Sequence, residues 1–308
     1  MRKLNIIIKN CFFAAFVAIT VNIGVVAAGE ITMIASHVYG FMHFSLSGSG
    51  SVIINWGDGT PSSRHTLSST GLSSYTHNYS GGNVFTITIT GGTITHFEIV
   101  QMSIESFDVS RCPELRVLTC KQAGLTSLDV SKNTALTYLD CSANRNLNSL
   151  DVSNNLAPKH LKCGQNNLSS LDISHNVWLT FLQCGHNPLR QLDVSKNTRL
   201  RYLSCAGNQL TSLDVSLNID LRELDCSYNQ LTALNLSNNT ALIELDLTNN
   251  RFTATAFNSI FETLHGFLIS EKKTVDINGN PGTNDSDTGI SRTRHWTLGS
   301  VTNRLRYW

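Results

Sequence analysis

One short block of this chain keeps returning. Asp-Val-Ser, or a near variant, ends at Ser110, Ser131, Ser153, Ser174, Ser195, Ser216 and Ser237, in steps of 21, 22, 21, 21, 21 and 21 residues. A sequence that repeats at this period cannot collapse about a single centre. Each unit carries an apolar face that only the next unit buries, so the units must stack into a solenoid. Every unit splits into two halves: L-x-x-L-D-V-S-x-N, as in residues 125–133, and L-x-x-L-x-C-x-x-N, as in residues 136–144. In an extended segment alternate side chains face opposite sides. Leu, Val and Cys therefore point inward and align in columns, while the residues between them face out.

The asparagines form two more columns. Asn133, Asn155, Asn176, Asn197, Asn218 and Asn239 close the first halves; Asn144, Asn166, Asn187, Asn208, Asn229 and Asn250 close the second. A carboxamide both donates and accepts, so each Asn can satisfy turn backbone on its own coil and on the adjacent one. Cysteine usage follows the same logic. Cys120, Cys141, Cys163, Cys184, Cys205 and Cys226 recur once per unit, each two residues after a Leu, and Leu247 fills that slot in the next unit. A slot that takes Cys or Leu is an apolar core slot. Stacked strands lie about 4.7–4.9 Å apart, yet parallel side chains in one column are poorly aimed for a disulfide. The expectation is a file of buried, reduced thiols. Cys112 falls in the Asn133 column instead.

Ahead of the repeats the chain changes character. Residues 31–37, 40–47, 52–56 and 84–90 are short alternating or β-branched runs between turns such as Ser47-Gly48-Ser49-Gly50. This pattern predicts a small antiparallel β-sandwich. It runs straight into the first coil, Phe97-Glu98-Ile99 lying 21 residues before Leu118-Thr119-Cys120. The sandwich thereby covers the apolar end that a terminal repeat would expose. At the other end, residues 254–266 put Phe257, Ile260, Phe261 and Leu264 on one helical face, with Gly266 as a stop. Residues 274–277 then read as one more strand before the turn Asn278-Gly279-Asn280-Pro281-Gly282. The basic cluster Arg292, Arg294, His295, Arg304 and Arg306 is read as solvated cap surface rather than an anion site.

Arg2, Lys3 and Lys9 precede an apolar run, 11–26, that ends in Val26-Ala27-Ala28 before Gly29. This is the layout of a secretory signal peptide; for a membrane anchor the run is short and interrupted by Thr20 and Asn22. The organisation expected is a signal peptide over 1–28, a sandwich over 29–93, a solenoid over 94–253 and a cap over 254–308. The product is expected to be exported (secreted, periplasmic or at the cell surface), monomeric, and not inserted in a membrane once the signal is removed. A formal net charge of +1, with 15% charged residues, gives no electrostatic reason to expect nucleic acid as a partner.

In its two half-units the chain resembles the leucine-rich repeat proteins, and its 21-residue period resembles that of secreted bacterial, internalin-like members. The resemblance implies a mainly β fold: a parallel-β solenoid preceded here by the small antiparallel sandwich and closed by an α/β cap. It further implies that the strand face, concave in this family, binds other macromolecules. Cys in place of Asn, as at Cys112, is a substitution such repeats use. Trp56-Gly57-Asp58-Gly59-Thr60, His77-Asn78-Tyr79 and the strand Phe85-Thr86-Ile87-Thr88-Ile89 resemble the PKD family, whose W-x-x-G-D-G-like turn is shortened here to Trp-Gly-Asp-Gly. Asp58 could be a cation ligand; it is read as a turn residue bonding its own backbone.

Repetition lets the sequence serve as its own comparison. Positions constant from coil to coil do structural work, and those that vary are free to suit a partner. The column Asp108, Asp129, Asp151, Asp172, Asp193 and Asp214, then Asn235, is monotonous. A cation ladder is one reading; the Asn235 replacement favours local bonding to Ser hydroxyls and backbone N–H groups. The other half-unit varies. Its outward columns are His96, Val117, Tyr138, His160, Phe181, Tyr202, Glu223, Glu244, and two residues on Glu98, Thr119, Asp140, Lys162, Gln183, Ser204, Asp225, Asp246. The candidate binding residues are Tyr138, Asp140, His160, Lys162, Phe181, Gln183, Tyr202, Glu223, Asp225 and Glu244: an aromatic stripe with an acidic end. Aromatics in a row suit a protein or glycan contact, unless they only stack across strands to stabilise the sheet. The function expected is non-enzymatic binding or adhesion to an extracellular protein. The alternative is a carbohydrate-binding accessory protein using the stripe, and a purely structural envelope component comes third. No H-E-x-x-H, G-x-S-x-G, P-loop or C-x-x-C pattern occurs, so no catalytic residue, metal or cofactor is expected.

Overall fold

The structure is a computed structural model that describes residues 29–36, 40–81, 83–267 and 271–301. The expected signal peptide, together with Arg304 and Arg306, lies outside the described residues.

Eight strands come first among the described residues: β1 (Glu30–Ala35), β2 (Gly40–Ser49), β3 (Ser51–Asn55), β4 (Ser63–Thr66), β5 (Ser73–Tyr79), β6 (Phe85–Thr90), β7 (Thr93–Glu98) and β8 (Ile104–Asp108). They make two layers, the antiparallel sheet β4-β3-β6-β1-β8 and the set β5-β2-β7. The alternating residues Ile31, Met33, Ile87 and Ile89 are fully buried in one core with Phe44 and Leu46. The Phe44 ring gathers Trp56, Tyr75 and Phe97 at centroid distances of 5.3, 5.9 and 5.6 Å. Asp58 is a turn residue: Oδ1 accepts from the Thr60 N–H (3.0 Å) and hydroxyl (2.6 Å), and Oδ2 accepts from His77 Nε2 (2.6 Å). The Thr60 hydroxyl first, and then His77, hold the carboxyl well below the usual carboxylate range. Trp56 stacks on His77 at 4.9 Å, and the Tyr79 hydroxyl donates to the Trp56 carbonyl at 2.8 Å. The two motifs lock onto each other.

The smaller layer does not stop at β7. This strand pairs antiparallel with β2 on one side and parallel with β9 (Val117–Thr119) on the other, His96 opposite Val117 and Glu98 opposite Thr119. The parallel ladder continues through β10 (Tyr138–Asp140), β11 (His160–Lys162), β12 (Phe181–Gln183), β13 (Tyr202–Ser204), β14 (Glu223–Asp225) and β15 (Glu244–Asp246). Each of these strands is three residues long, one solenoid rung apart from the next. The central Leu of each points inward, and Leu139, Leu161, Leu182, Leu203 and Leu224 are at most 1% exposed.

Beyond the strands, the asparagines tie coil to coil. Asn187 Nδ2 donates to the carbonyls of Cys163 and Cys184, both at 3.0 Å, while its Oδ1 accepts from the Leu168 N–H at 2.9 Å. The first asparagine column works by donation alone. Asn176 Nδ2 donates to the carbonyls of Val152 (3.0 Å) and Asn155 (2.6 Å), while its buried Oδ1 meets no donor among the described residues. That explains Cys112 at the head of this column: a donor is all the position uses, and the Cys112 thiol donates to the Glu30 carbonyl at 3.4 Å.

The described residues end with α1 (Ala254–Thr263), β16 (Lys273–Asp276), α2 (Thr288–Thr293) and β17 (Trp296–Leu298). Helix α1 starts at Thr253, whose hydroxyl accepts from the Ala256 N–H at 3.2 Å, and it buries Phe257, Ile260 and Phe261 as its periodicity requires. β16 and β17 extend the parallel ladder, so among the described residues the sheet has 12 strands. α2 and β17 are absent from the sequence reading. Trp296, only 2% exposed, anchors β17 by donating Nε1 to the His265 carbonyl at 3.2 Å. Lys273 sits buried beside it, its ammonium donating to the carbonyls of His265, Phe267 and Arg294. Arg292, Arg294 and His295 are exposed, as a solvated cap surface requires.

Two predictions follow from this packing. Asn187→Ala removes the donor to the Cys163 and Cys184 carbonyls and the acceptor of the Leu168 N–H and is expected to cost about 1–3 kcal/mol, against about 0.5 kcal/mol or less for the exposed Arg190→Ala; urea unfolding distinguishes the two. The second concerns the thiols, since Cys120, Cys141, Cys163, Cys184, Cys205 and Cys226 are free and fully buried. Burial pushes the Cys184 thiol from an ordinary 9.0 up to about 12. The folded state therefore holds thiol protons that the unfolded chain releases. Stability is full below pH 9.0 and falls as pH rises towards about 12. Native protein at pH 8 should show almost no reaction with a thiol reagent, and denatured protein should react at every cysteine.

Candidate interaction face

Strands β10 to β15 place the candidate residues. Tyr138, His160, Phe181, Tyr202, Glu223 and Glu244 lie in one register column, and Asp140, Lys162, Gln183, Ser204, Asp225 and Asp246 in the next. All ten residues proposed from the sequence therefore share one sheet face. Their exposure differs from a simple outward reading. His160 is exposed, and Tyr138, Gln183, Tyr202 and Glu244 are half-buried, but Asp140, Lys162, Phe181, Glu223 and Asp225 are buried. The cause is the spacing of the coils. Side chains one rung apart cover each other, so pointing away from the core is not the same as meeting solvent.

The aromatic column shows this most clearly. Centroid distances along Tyr138–His160–Phe181–Tyr202 are 5.8, 5.6 and 5.9 Å, with interplanar angles of 30°, 16° and 36°. The rings stack on one another, so their faces are largely occupied by neighbouring rings. Lys162 completes the group, its ammonium 5.5 Å from the Tyr138 ring centre and 5.6 Å from that of Phe181. Burial lowers the Lys162 pKa, and the Asp140 charge opposes that fall. Burial also lowers His160, with Lys162 adding to the effect, and pushes Tyr138 up to about 12.

Towards the C-terminal end the column turns acidic. Asp225, Asp246 and Asp276 stand in register on successive strands. Asp225 Oδ1 accepts from the Ser227 N–H (3.1 Å) and hydroxyl (2.6 Å), and Asp246 Oδ1 from the Thr248 N–H (3.0 Å). Burial first, then the Asp225 charge, raises the Asp246 pKa. On the other half-unit the carboxylates are occupied locally: Asp129, Asp151, Asp172, Asp193 and Asp214 each accept from the N–H of the Ser two residues on, at 2.8–2.9 Å. Asn235 makes the same bond to Ser237 at 3.0 Å. Among the described residues no group of three or more His, Cys, Asp or Glu side chains is arranged to hold a metal ion.

A trough of about 600 Å³, not anticipated from the sequence, runs beside the second column. Its floor is the residue after each Cys from Cys141 to Cys226: Ser142, Gly164, Gly185, Ala206 and Ser227, all buried. Gln183, Ser204 and Asp225 border it on one side, and Gln165, His186 and Tyr228 on the other. The signal was present in the sequence as an unbroken series of small residues at one repeat position.

No family model matches the chain, and no curated protein matches it either. Solved structures do. The functional domain of InlJ from Listeria monocytogenes, described as including a cysteine ladder, is 28% identical over 65% of this chain and 44% of that one, with a TM-score of 0.55. A leucine-rich repeat protein of Leptospira interrogans is 22% identical over 62% of this chain and 56% of that one, with a TM-score of 0.50. The fold is a leucine-rich repeat solenoid. Its structural neighbours are internalin-like leucine-rich repeat proteins, and this chain spans less than two thirds of the length of either neighbour.

Within the leucine-rich repeat sheet, stacked rings one rung apart should be energetically coupled. A double-mutant cycle of Phe181→Ala and Tyr202→Ala, read by urea unfolding, is expected to give a coupling of about 0.5–1.5 kcal/mol. A coupling near zero would show that the rings only share a surface.

Proposed function

We propose that this protein is a non-enzymatic, exported interaction protein whose repeat face holds an extracellular protein partner. The observation that carries the reading is the contrast between the two half-units. The Asp-Val-Ser side repeats one local turn bond from coil to coil. The strand side keeps the same inward Leu and changes nearly every outward residue. A rigid parallel sheet with variable side chains suits recognition of one irregular surface.

The stacked geometry bears on the partner's class. A sugar ring packing on this stripe needs open aromatic faces, and those of His160 and Phe181 are occupied by neighbours at 5.6–5.9 Å. Ring edges, the exposed His160 imidazole and the acidic end are left, a mixed surface suited to a protein partner. Export rests on the signal-peptide layout of residues 1–28. No helix among the described residues is long and apolar enough to cross a membrane. The chain would act as a monomer, with a sandwich over 29–93 and a cap over 254–308 closing the solenoid between them.

The test compares the wild type with Tyr138/Phe181/Tyr202→Ala and with His160→Glu, each checked for folding by circular dichroism. The proteins are immobilised and exposed to an extracellular protein extract. A protein retained by the wild type and lost from both folded variants supports the reading. Equal retention by all three excludes the stripe as the site.

A further inference from the structure

We propose that the trough beside the aromatic stripe is a binding site for a linear, uncharged oligosaccharide, gripped by the side chains of Gln165, His186 and Tyr228. The proposal is independent of the protein-binding stripe and uses different residues.

The first observation is backbone conformation. The residue two after each Cys from Cys120 to Cys226 is left-handed: φ is 53° at Gln122, 60° at Ala143, 57° at Gln165, 57° at His186, 66° at Gly207 and 52° at Tyr228. Glycine adopts this conformation freely and other residues only under strain. Gly207 shows that glycine is accepted at this repeat position. Gln165, His186 and Tyr228 nevertheless carry large polar side chains there, all exposed. None of the three side chains makes a hydrogen bond within the described residues, since only their backbone N–H groups do. Gly207 leaves room for one of them: a Cβ there would come within 2.5 Å of His186 Nδ1. All three border the trough, with their polar groups open to a ligand in it.

The second observation is what the trough offers. Its main chain is committed from coil to coil, with Gln165 N–H donating to the Gly185 carbonyl (2.8 Å), His186 to Ala206 (2.7 Å) and Tyr228 to Thr248 (2.8 Å). An extended peptide therefore finds no strand edge to join. Recognition falls to an amide, an imidazole and a phenol, groups that between them donate and accept, as sugar hydroxyls do. Tyr228, 54% exposed, adds an open ring face for a sugar to pack on. Within the trough, charge lies at the ends, Lys121 at one and the buried Asp225 at the other, and Arg145 stands beyond the rim beside Gln165 and His186. The floor, from Ser142 to Ser227, crosses five coils, about 20 Å at the usual strand spacing. A chain of several sugars fills it; a single ring does not.

The test titrates the purified protein by calorimetry with cellohexaose, maltohexaose and chitohexaose, and with the corresponding disaccharides. At least one hexasaccharide should bind at least tenfold more tightly than its disaccharide. In Gln165→Gly/His186→Gly/Tyr228→Gly this binding should fall tenfold or more while Tm stays level or rises, because glycine relieves the left-handed backbone. The Tyr138/Phe181/Tyr202→Ala variant should keep its sugar binding, so failure here and failure of the stripe as a protein site read out separately. The proposal is overturned if none of the three hexasaccharides binds, if the glycine variant still binds, or if its Tm falls and the rim is thus structural. Capture of a polypeptide that the glycine variant loses, with no sugar bound, assigns the trough to a protein chain instead.

Discussion

Hydrogen bonding between coils is the constraint on which the rest of this structure depends. A three-residue strand cannot stand alone, and each one from β9 to β15 survives because both neighbours bond to it. The turn that follows extends the same ladder, as in Cys163 N–H to the Gln183 carbonyl at 2.8 Å. The buried carboxamides then join what the strands leave open. Their two columns use different halves of the same group. The second column donates and accepts, so it holds Asn from Asn144 to Asn250 and takes up Asn280 in the cap, whose Oδ1 accepts from the N–H groups of Asn250 (3.1 Å) and Phe252 (3.2 Å). The first column only donates, which is why a thiol can replace a carboxamide there.

That difference also explains how much of the fold was legible in the sequence. Regular spacing of Ser and Asn revealed the coils from Phe97 onward, because identical coils need identical side chains at identical steps. The last coil was only half visible. Asn280 stands 30 residues after Asn250 rather than 21 or so, because α1 is inserted between them, and the spacing that marked every other coil is lost. β17 carries no repeat signature at all and is fixed by Trp296 and Lys273, through contacts to distant carbonyls that no local pattern reveals.

The face of the solenoid was legible in direction but not in exposure. Alternation placed Tyr138, His160, Phe181 and Tyr202 together, as the register has them. It could not say that Phe181 would be only 8% exposed, since that depends on the rings above and below it. The left-handed rim stayed hidden for another reason. Gln122, Ala143, Gln165, His186, Gly207, Tyr228 and Asn249 share a backbone angle and no common side-chain type, and only Gly207 among them advertises that angle. Backbone conformation imposed by a neighbouring coil leaves little trace in the letters.

The sandwich does more than seal an end. Because β7 belongs to both ladders, the first coil pairs with a strand that the sandwich holds on its other edge. Every later coil repeats that step upon its predecessor. The length of the molecule is therefore quantised. Adding or removing one whole unit leaves every column aligned and changes the face by one strand spacing, about 4.8 Å. Growth by duplication is structurally silent except at the binding surface, where it alters reach in fixed increments. A gene for such a protein can lengthen or shorten its grip without having to solve the folding problem again.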